Sequence, residues 1–358
     1  MDTRFDKEVP VLNYLQCAAC GAHLERSNNL LACCACDQTY GYSDSPENSI
    51  PRLFPRRGST PWVDDILKHA TICDEYIAQR IEKNDGWWLE PKDPYMTVLR
   101  KYNLLCGRYL VAKWAIQEQP GAVIVDIGAG DGYLSNHIES VRPGVYVQLS
   151  QDISGRFQED GKKRHPHANV YYVTSDSEHS GLRTGIADVV ISTECIEHIR
   201  RIPAYLQEIH RLLKPGGTLY ITTPNKQGFA LWLGERGVAY LKNAMRRLLM
   251  RPVLRLGPYG CSDDDRGYEH LLKTGEIVEA LEQVGFRVVS VTHNQYLGEF
   301  FFAVAQAVRC PLGIVRGIVS VVQFAERVIA RSPFKILAEY IGFNQVLVAK
   351  KENIMTSV

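Results

Sequence analysis

The sequence predicts an α/β protein built on a doubly wound sheet of seven strands, with a small metal module ahead of the sheet and a helical insertion within it. Three observations carry that expectation. Val123-Ile124-Val125-Asp126-Ile127 is a short apolar run around one carboxylate, as in a parallel strand covered on both faces. It enters Gly128-Ala129-Gly130-Asp131-Gly132, where glycine lets the backbone turn sharply and approach a ligand. Strand and helix patterns then alternate along the chain, the signature of a Rossmann-like architecture.

Composition narrows the function classes. The 358 residues suffice for a full α/β domain plus something smaller. Lys and Arg total 41 against 40 Asp and Glu, which argues against a general nucleic-acid binder. The first residues, Met1 to Lys7, lack the apolar core of an export signal, and no run approaches the roughly 18–20 apolar residues of a membrane span. A cytoplasmic protein is therefore expected, with peripheral membrane contact left open. Oligomeric state is not legible.

Half of the ten cysteines lie between Cys17 and Cys36. Cys17-Ala-Ala-Cys20 and Cys33-Cys34-Ala-Cys36 form two C-x2-C pairs separated by twelve residues. Such pairs can place four thiolates around Zn2+ at about 2.3 Å each. Cys17, Cys20, Cys33 and Cys36 are the expected ligands; Cys34 is the spare thiol, able to exchange with Cys33. Leu24 to Leu31 reads as a hairpin with Asn28-Asn29 at its tip. A module over residues 10–56 has too little core to fold by apolar burial alone, so metal supplies the missing free energy.

Residues 57–119 read as a helical linker or lid. Ser43 to Pro61 is rich in Pro, Ser and Gly, and Trp62 to Lys83 places Ile66, Ala70, Cys73 and Ile77 on one helical face. Gly86-Trp87-Trp88 packs beneath the linker or lids a pocket, and Tyr95 to Gln117 reads as a second helix. The main domain is expected over residues 120–351. After the first strand come Val145 to Ser150, closed by Asp152; Val170 to Thr174, followed by Ser175-Asp176; Ala187 to Ser192; and Thr218 to Thr223. A carboxylate at the position of Asp152 can accept hydrogen bonds from both ribose hydroxyls of a nucleoside cofactor. Gln151 is a neighbouring contact.

Taken together, the D-x-G-x-G-x-G turn from Asp126 to Gly132, Glu194-Cys-Ile-Glu197-His198 and Leu213-Lys-Pro-Gly-Gly217 resemble class I S-adenosylmethionine (SAM) methyltransferases. The likeness is to the type 11 group that includes the ubiquinone-biosynthesis O-methyltransferases, and it covers residues 120–225 well and 268–293 fairly. Cys33 to Tyr40 with Ile50 to Phe54 resembles the zinc-ribbon segment that precedes many bacterial members. The resemblance implies SAM as cofactor, held by Asp126, Gly128, Ala129, Gly130, Gly132, Asp152, Ile153, Asp176, Ser177 and Glu194. Asp152 would take the ribose and Asp176 the adenine amino group.

Lys226 to Arg266 forms an insertion, within a 226–268 segment, whose centre interleaves Arg236, Lys242, Arg246, Arg247, Arg251 and Arg255 with apolar residues at helical spacing. It suits a lid over the acceptor, a membrane-surface anchor, a nucleic-acid contact or a solvated helix docked on its own domain. A helix follows with Thr274 as its N-cap and Gly285 at its end, then strands Phe286 to Val291 and Gln345 to Ala349. The resemblance pairs these two as an antiparallel edge hairpin. A second helical insertion, 295–344, carries an apolar stripe at Ile314, Ile318, Val322, Ala325 and Ile329, interrupted by Arg316, Arg327 and Arg331. It is expected to lie on something rather than to span a bilayer, completing the acceptor pocket or, alternatively, forming a partner interface.

The expected function is methyl transfer to a small-molecule or lipid-like acceptor, at oxygen. A hydroxyl acceptor must lose a proton, and histidine is the side chain that does this near neutral pH. His198 is the candidate base, with Glu197 and His270 beside it. An alternative gathers Glu194, Glu197, His198 and His270 around Mg2+ to acidify the acceptor. Two rival classes stand beside this reading. One is an RNA methyltransferase gripping RNA through its ribbon, disfavoured because residues 17–40 carry Arg26 as their one full positive charge. The other is a SAM-binding partner protein without turnover.

Overall fold

The computed structural model describes residues 9–27, 30–43, 49–56, 61–83, 98, 110–167, 169–228, 270–294, 310–332 and 339–352. Its organising element is the strand β5 (Val123–Ile127), every residue of which is buried. The apolar run needs cover on both faces, and it has strands on both edges: β6 (Val147–Asp152) and β8 (Ala187–Thr193), both parallel to it. Outward from β6 lies β7 (Val170–Thr174), and outward from β8 lies β9 (Leu213–Pro224). The far edge is an antiparallel pair, β11 (Asn344–Lys351) against β9 and β10 (Phe286–Asn294) outermost. The seven core strands thus run in the order β7-β6-β5-β8-β9-β11-β10. The chain reverses its direction of travel across the sheet between β5 and β8, the crevice where such sheets bind ligands beyond the carboxyl ends of their strands.

The N-terminal module is stitched to this sheet. β1 (Leu24–Ser27) pairs antiparallel with β2 (Leu30–Cys33), the predicted hairpin, whose tip lies outside the described residues. β2 pairs with β3 (Thr39–Tyr42), β3 with the short β4 (Pro51–Arg52), and β4 runs parallel to β7 with Arg52 opposite Thr174. The strand order therefore continues without a break from β1 to β10, eleven strands in all. Val11, Leu15, Leu24, Leu31, Tyr40 and Leu53 share one buried cluster with Val125, Leu149 and Val173 of the central strands. A module too small for its own core has borrowed that of its neighbour.

Helices cover the sheet. α1 (Val9–Leu12) is a single turn, and α2 (Pro61–Lys83) buries Val63, Ala70 and Ile77, the face its periodicity predicts. α3 (Leu110–Ala115) falls within the Tyr95–Gln117 stretch expected to be helical, most of whose earlier part lies outside the described residues. α4 (Tyr133–Val141) and α5 (Gly155–Arg164) follow β5 and β6, and α6 (Ile202–Leu212) precedes β9. α7 (Thr274–Gln283) and α8 (Leu312–Arg331) belong to the C-terminal half. Most of the basic insertion, Trp87-Trp88 and much of 295–344 lie outside the described residues.

Local details differ from the sequence pattern at three places. Lys214-Pro-Gly-Gly217 belongs to β9, which starts at Leu213 and is bulged opposite Ala187 and Val189, because the glycines absorb the irregular register. Thr274 is the first helical residue of α7, not its cap. Its hydroxyl lies 3.0 Å from His293 Nε2 and donates to Gln345 Oε1, while Glu276 reaches back to the Lys273 amide at 2.7 Å. Asp152 closes β6 as expected, and the strand runs two residues later than its apolar pattern.

Candidate active site

The turn after β5 is held by three glycines with φ between 60° and 70°, Gly128, Gly130 and Gly132, a region that side chains disfavour. They serve different ends. A Cβ on Gly128 would lie 2.8 Å from the Cys195 Cβ, and one on Gly132 2.8 Å from Tyr172 Cε1 and 2.9 Å from Ser150 Oγ. These two let the turn seat against the strands beneath it. A Cβ on Gly130 would meet nothing within 4 Å, so this residue faces open space.

Beside that opening stands Asp152, 8% exposed. The Gly130 amide donates to its Oδ2 and the Ser154 amide to its Oδ1, each at 2.8 Å. Burial, against those two hydrogen bonds, pushes its carboxyl up to about 6. Asp126 lies deeper, 1% exposed, and burial raises it to about 7. Ser135 Oγ donates to one of its oxygens at 3.3 Å, and the other is buried without a partner. Ile153 is half-buried after Asp152. Asp176 is buried and lies 3.3 Å from His179 Nδ1; the Ser177 hydroxyl donates to Gln151 Oε1 at 3.3 Å. Gln151 is turned fully inward and braces the 175–177 turn, donating to the Ser175 carbonyl and accepting from the Ser177 hydroxyl.

Glu194 follows β8 with φ 53°, the single non-glycine at positive φ among the described residues. Its carboxylate accepts from Thr222 Oγ1 at 3.0 Å and Asn344 Nδ2 at 2.7 Å, so side chains from β9 and β11 fix a strained residue at the sheet's edge. Glu197 is buried and accepts from Thr223 Oγ1 at 2.9 Å. His198 and His270 are both exposed, and the His270 amide donates to the Glu197 carbonyl at 2.6 Å. These four residues neighbour one another, but the structure does not gather their ligand atoms. Among the described residues two sets of three or more donors converge within 4.8 Å, and neither contains Glu194, Glu197, His198 or His270. Glu194 and Glu197 instead accept hydrogen bonds from threonine and asparagine side chains of adjoining strands, so this arrangement lends the Mg2+ expectation no support.

One convergent set is Cys17, Cys20, Cys33 and Cys36. The sulfurs lie 3.7 Å apart for Cys17–Cys36 and 3.5 Å for Cys20–Cys33 and Cys20–Cys36. All four are free thiols, and Cys34 stays outside the cluster. The Tyr40 hydroxyl lies 3.0 Å from the Cys17 sulfur. The other set, Asp176, Glu178 and His179, is engaged elsewhere: Arg201 pairs with Glu178 at 2.6 Å and Trp62 stacks on His179 at 4.0 Å.

Sequence reasoning missed the contribution of α2. Asp74 accepts from Ser154 Oγ at 2.7 Å and from the Arg156 amide at 3.1 Å, binding α2 to the residues just beyond Asp152. Cys73 lies near enough that burial, with the charges of Asp152 and Asp74, pushes its thiol up to about 12. His69 is held below the usual range by burial, with Arg200 and His198 acting against its charge. The available signal was the helical face alone; nothing local reveals a hydrogen bond across eighty residues.

Comparison with known proteins gives this edge its chemistry. Residues 100–291, more than half of the chain, match a family model described as a methyltransferase domain. The chain belongs to that family. It is a SAM-dependent methyltransferase. It is similar to the ubiquinone biosynthesis O-methyltransferase of Xanthomonas campestris pv. campestris, 28% identical over 176 residues, 48% of this chain and 69% of that one. The enzyme of the same name from Xanthomonas axonopodis pv. citri is 26% identical over 231 residues, 64% and 85% of the two chains. Among solved structures, the magnesium protoporphyrin IX methyltransferase of Synechocystis PCC 6803 has 14% identity and TM-score 0.48, covering 81% of this chain and all of that one. Phosphoethanolamine N-methyltransferase 2 of Haemonchus contortus has 17% identity and TM-score 0.46, covering 85% and 63%. SAM suits the residues present: the open face at Gly130 admits a ligand, and the unpartnered Asp126 oxygen calls for a donor.

The two glycines separate stability from binding. Gly128→Ala should lower unfolding stability by about 3 kcal/mol or more, through backbone strain and the Cys195 clash. Gly130→Ala should cost only about 1–2 kcal/mol of strain and yet weaken SAM roughly tenfold, because its methyl group occupies the opening. Denaturant titration beside calorimetry distinguishes the two; equal behaviour of both variants would contradict these roles.

Proposed function

We propose that this chain transfers the methyl group of SAM to an oxygen of a small-molecule or lipid-like acceptor at the carboxyl edge of its sheet. The observation that carries the reading is the Asp152 carboxylate, clasped by two backbone amides beside the open face of Gly130. Its oxygens retain lone pairs for ribose hydroxyls. The turn Gly128-Ala129-Gly130 lines the same opening, with Asp126 and Gly132 beneath it. Ile153 borders the ribose position, Asp176 and Ser177 take the adenine end, and Glu194 closes the pocket where β8 ends. The relatives' name, an O-methyltransferase of ubiquinone biosynthesis, supports oxygen as the atom methylated.

Bound SAM supplies a methyl group already activated by its sulfonium, so most of the protein's work is alignment. The acceptor's hydroxyl proton must still leave, and we assign its acceptance to an imidazole nitrogen of His198, which is exposed beyond β8. Glu197 and His270 hold that turn, one through Thr223 and the other through its amide on the Glu197 carbonyl.

The cysteine cluster supports structural Zn2+ at Cys17, Cys20, Cys33 and Cys36. A tetrahedron with 2.3 Å bonds has edges of about 3.8 Å, close to the 3.5–3.7 Å separations seen. Four thiolates leave no open position, so the metal organises the module and takes no part in transfer.

Incubation with methyl-labelled SAM and an extract fractionated into RNA, protein, lipid and small molecules should put label in the lipid or small-molecule pool. His198→Ala should lower that turnover by roughly 10²–10⁴-fold with SAM affinity unchanged; label in RNA alone would overturn the acceptor class, and full activity in the variant would remove the base. The purified protein should contain one equivalent of zinc, lost in the Cys17→Ser/Cys20→Ser variant, and a folded, metal-free module would contradict the assignment.

A further inference from the structure

Exposed apolar side chains among the described residues concentrate on one helix. Ile314, Ile318, Val321, Phe324 and Val328 of α8 are between 36% and 68% exposed. Their spacings of four, three, three and four place them along one face, over a helix about 30 Å long. The opposite side holds Val315 and Glu326, both buried, and α8 rests there against the edge strand β10. The sequence's own stripe is corrected by this: Val322 and Ile329 are half-buried, so the solvent face turns toward Val321, Phe324 and Val328.

Charge follows the same division. Arg316 and Arg327 are exposed, while the helix's one acid, Glu326, is turned inward. The outward surface therefore combines large hydrophobes with cations and carries no anion. We propose that α8 is an in-plane membrane helix that docks this enzyme on an anionic lipid bilayer. The apolar face enters the boundary between headgroups and acyl chains, and the arginines meet lipid phosphates. No described helix is long and apolar enough to cross a membrane, which agrees with a helix lying on the surface. A second copy of the chain is a poorer occupant, because two-fold pairing of this face would bring the same arginines together. The inference goes beyond the transfer reaction and does not depend on the acceptor.

Vesicle co-sedimentation, without SAM, tests it. The full chain should partition onto vesicles of phosphatidylcholine mixed with phosphatidylglycerol and only weakly onto phosphatidylcholine alone, the difference shrinking at high salt. Val321→Asp/Phe324→Asp should reduce binding roughly tenfold or more, and Arg316→Glu/Arg327→Glu should abolish the preference for anionic lipid. Both variants should keep the parent's thermal melt and SAM affinity, which separates failure here from failure of the proposed reaction. Absence of vesicle binding, equal binding to both lipids, or unchanged binding by the aspartate variant would overturn the proposal. So would a dimer in sedimentation velocity that the same aspartates dissolve.

Discussion

A carboxylate almost out of water must be compensated, and around Asp152 that requirement shapes the site. Two backbone amides do it, one from the glycine turn after β5 and one from the start of α5. Each of those segments is then fixed in turn. Gln158 of α5 donates to the Gly130 carbonyl at 2.7 Å, and Asp131 receives Arg164 from the end of α5 at 2.7 Å. The result is a rigid clasp at the edge where the strand order reverses. The burial cost remains visible in the raised carboxyl, and a ligand offering hydroxyl donors would relieve it.

The clasp is supported from two directions that are remote in sequence. On one side, Asp74 of α2 holds Ser154. On the other, the cysteine module holds the segment between Asp176 and β8. The Gln16 amide donates to the Gly181 carbonyl at 2.8 Å, the Arg183 amide to Tyr14 at 2.9 Å, and the Arg183 side chain to the Leu15 carbonyl at 3.0 Å. Gly181 is confined by Leu53, whose own amide binds Thr174 of β7. The cysteine module thereby gains a role by contact: it braces the segments on either side of the turn that carries Asp176 and Ser177.

What was legible in the sequence is what short-range patterns encode. The apolar run at Val123, the glycine spacing after it, the period of Trp62 to Lys83 and the paired cysteines each imply their element from neighbours alone. The antiparallel edge came from family resemblance. What stayed hidden was set by distant partners. Nothing near Glu194 or Glu197 in the chain announces their partners Thr222, Thr223 and Asn344. Thr274 resembled a cap because its partners His293 and Gln345 lie on other strands. The merging of the ribbon with the main sheet through β4 depends on two residues, too short a strand for any periodicity to show.

If an ionised Asp152 at this edge receives SAM, binding must follow the protonation of its carboxyl. A carboxyl whose folded midpoint is raised to about 6 keeps roughly a tenth of its ionised form at pH 5. Binding that needs the ionised form is therefore lost as pH falls through that midpoint. Calorimetric titration of SAM from pH 7.5 to pH 5 should show affinity falling by about tenfold or more, with Asp152→Asn weak throughout and flatter with pH. A pH-independent affinity in the parent, or undiminished binding by the asparagine variant, would contradict this role of Asp152.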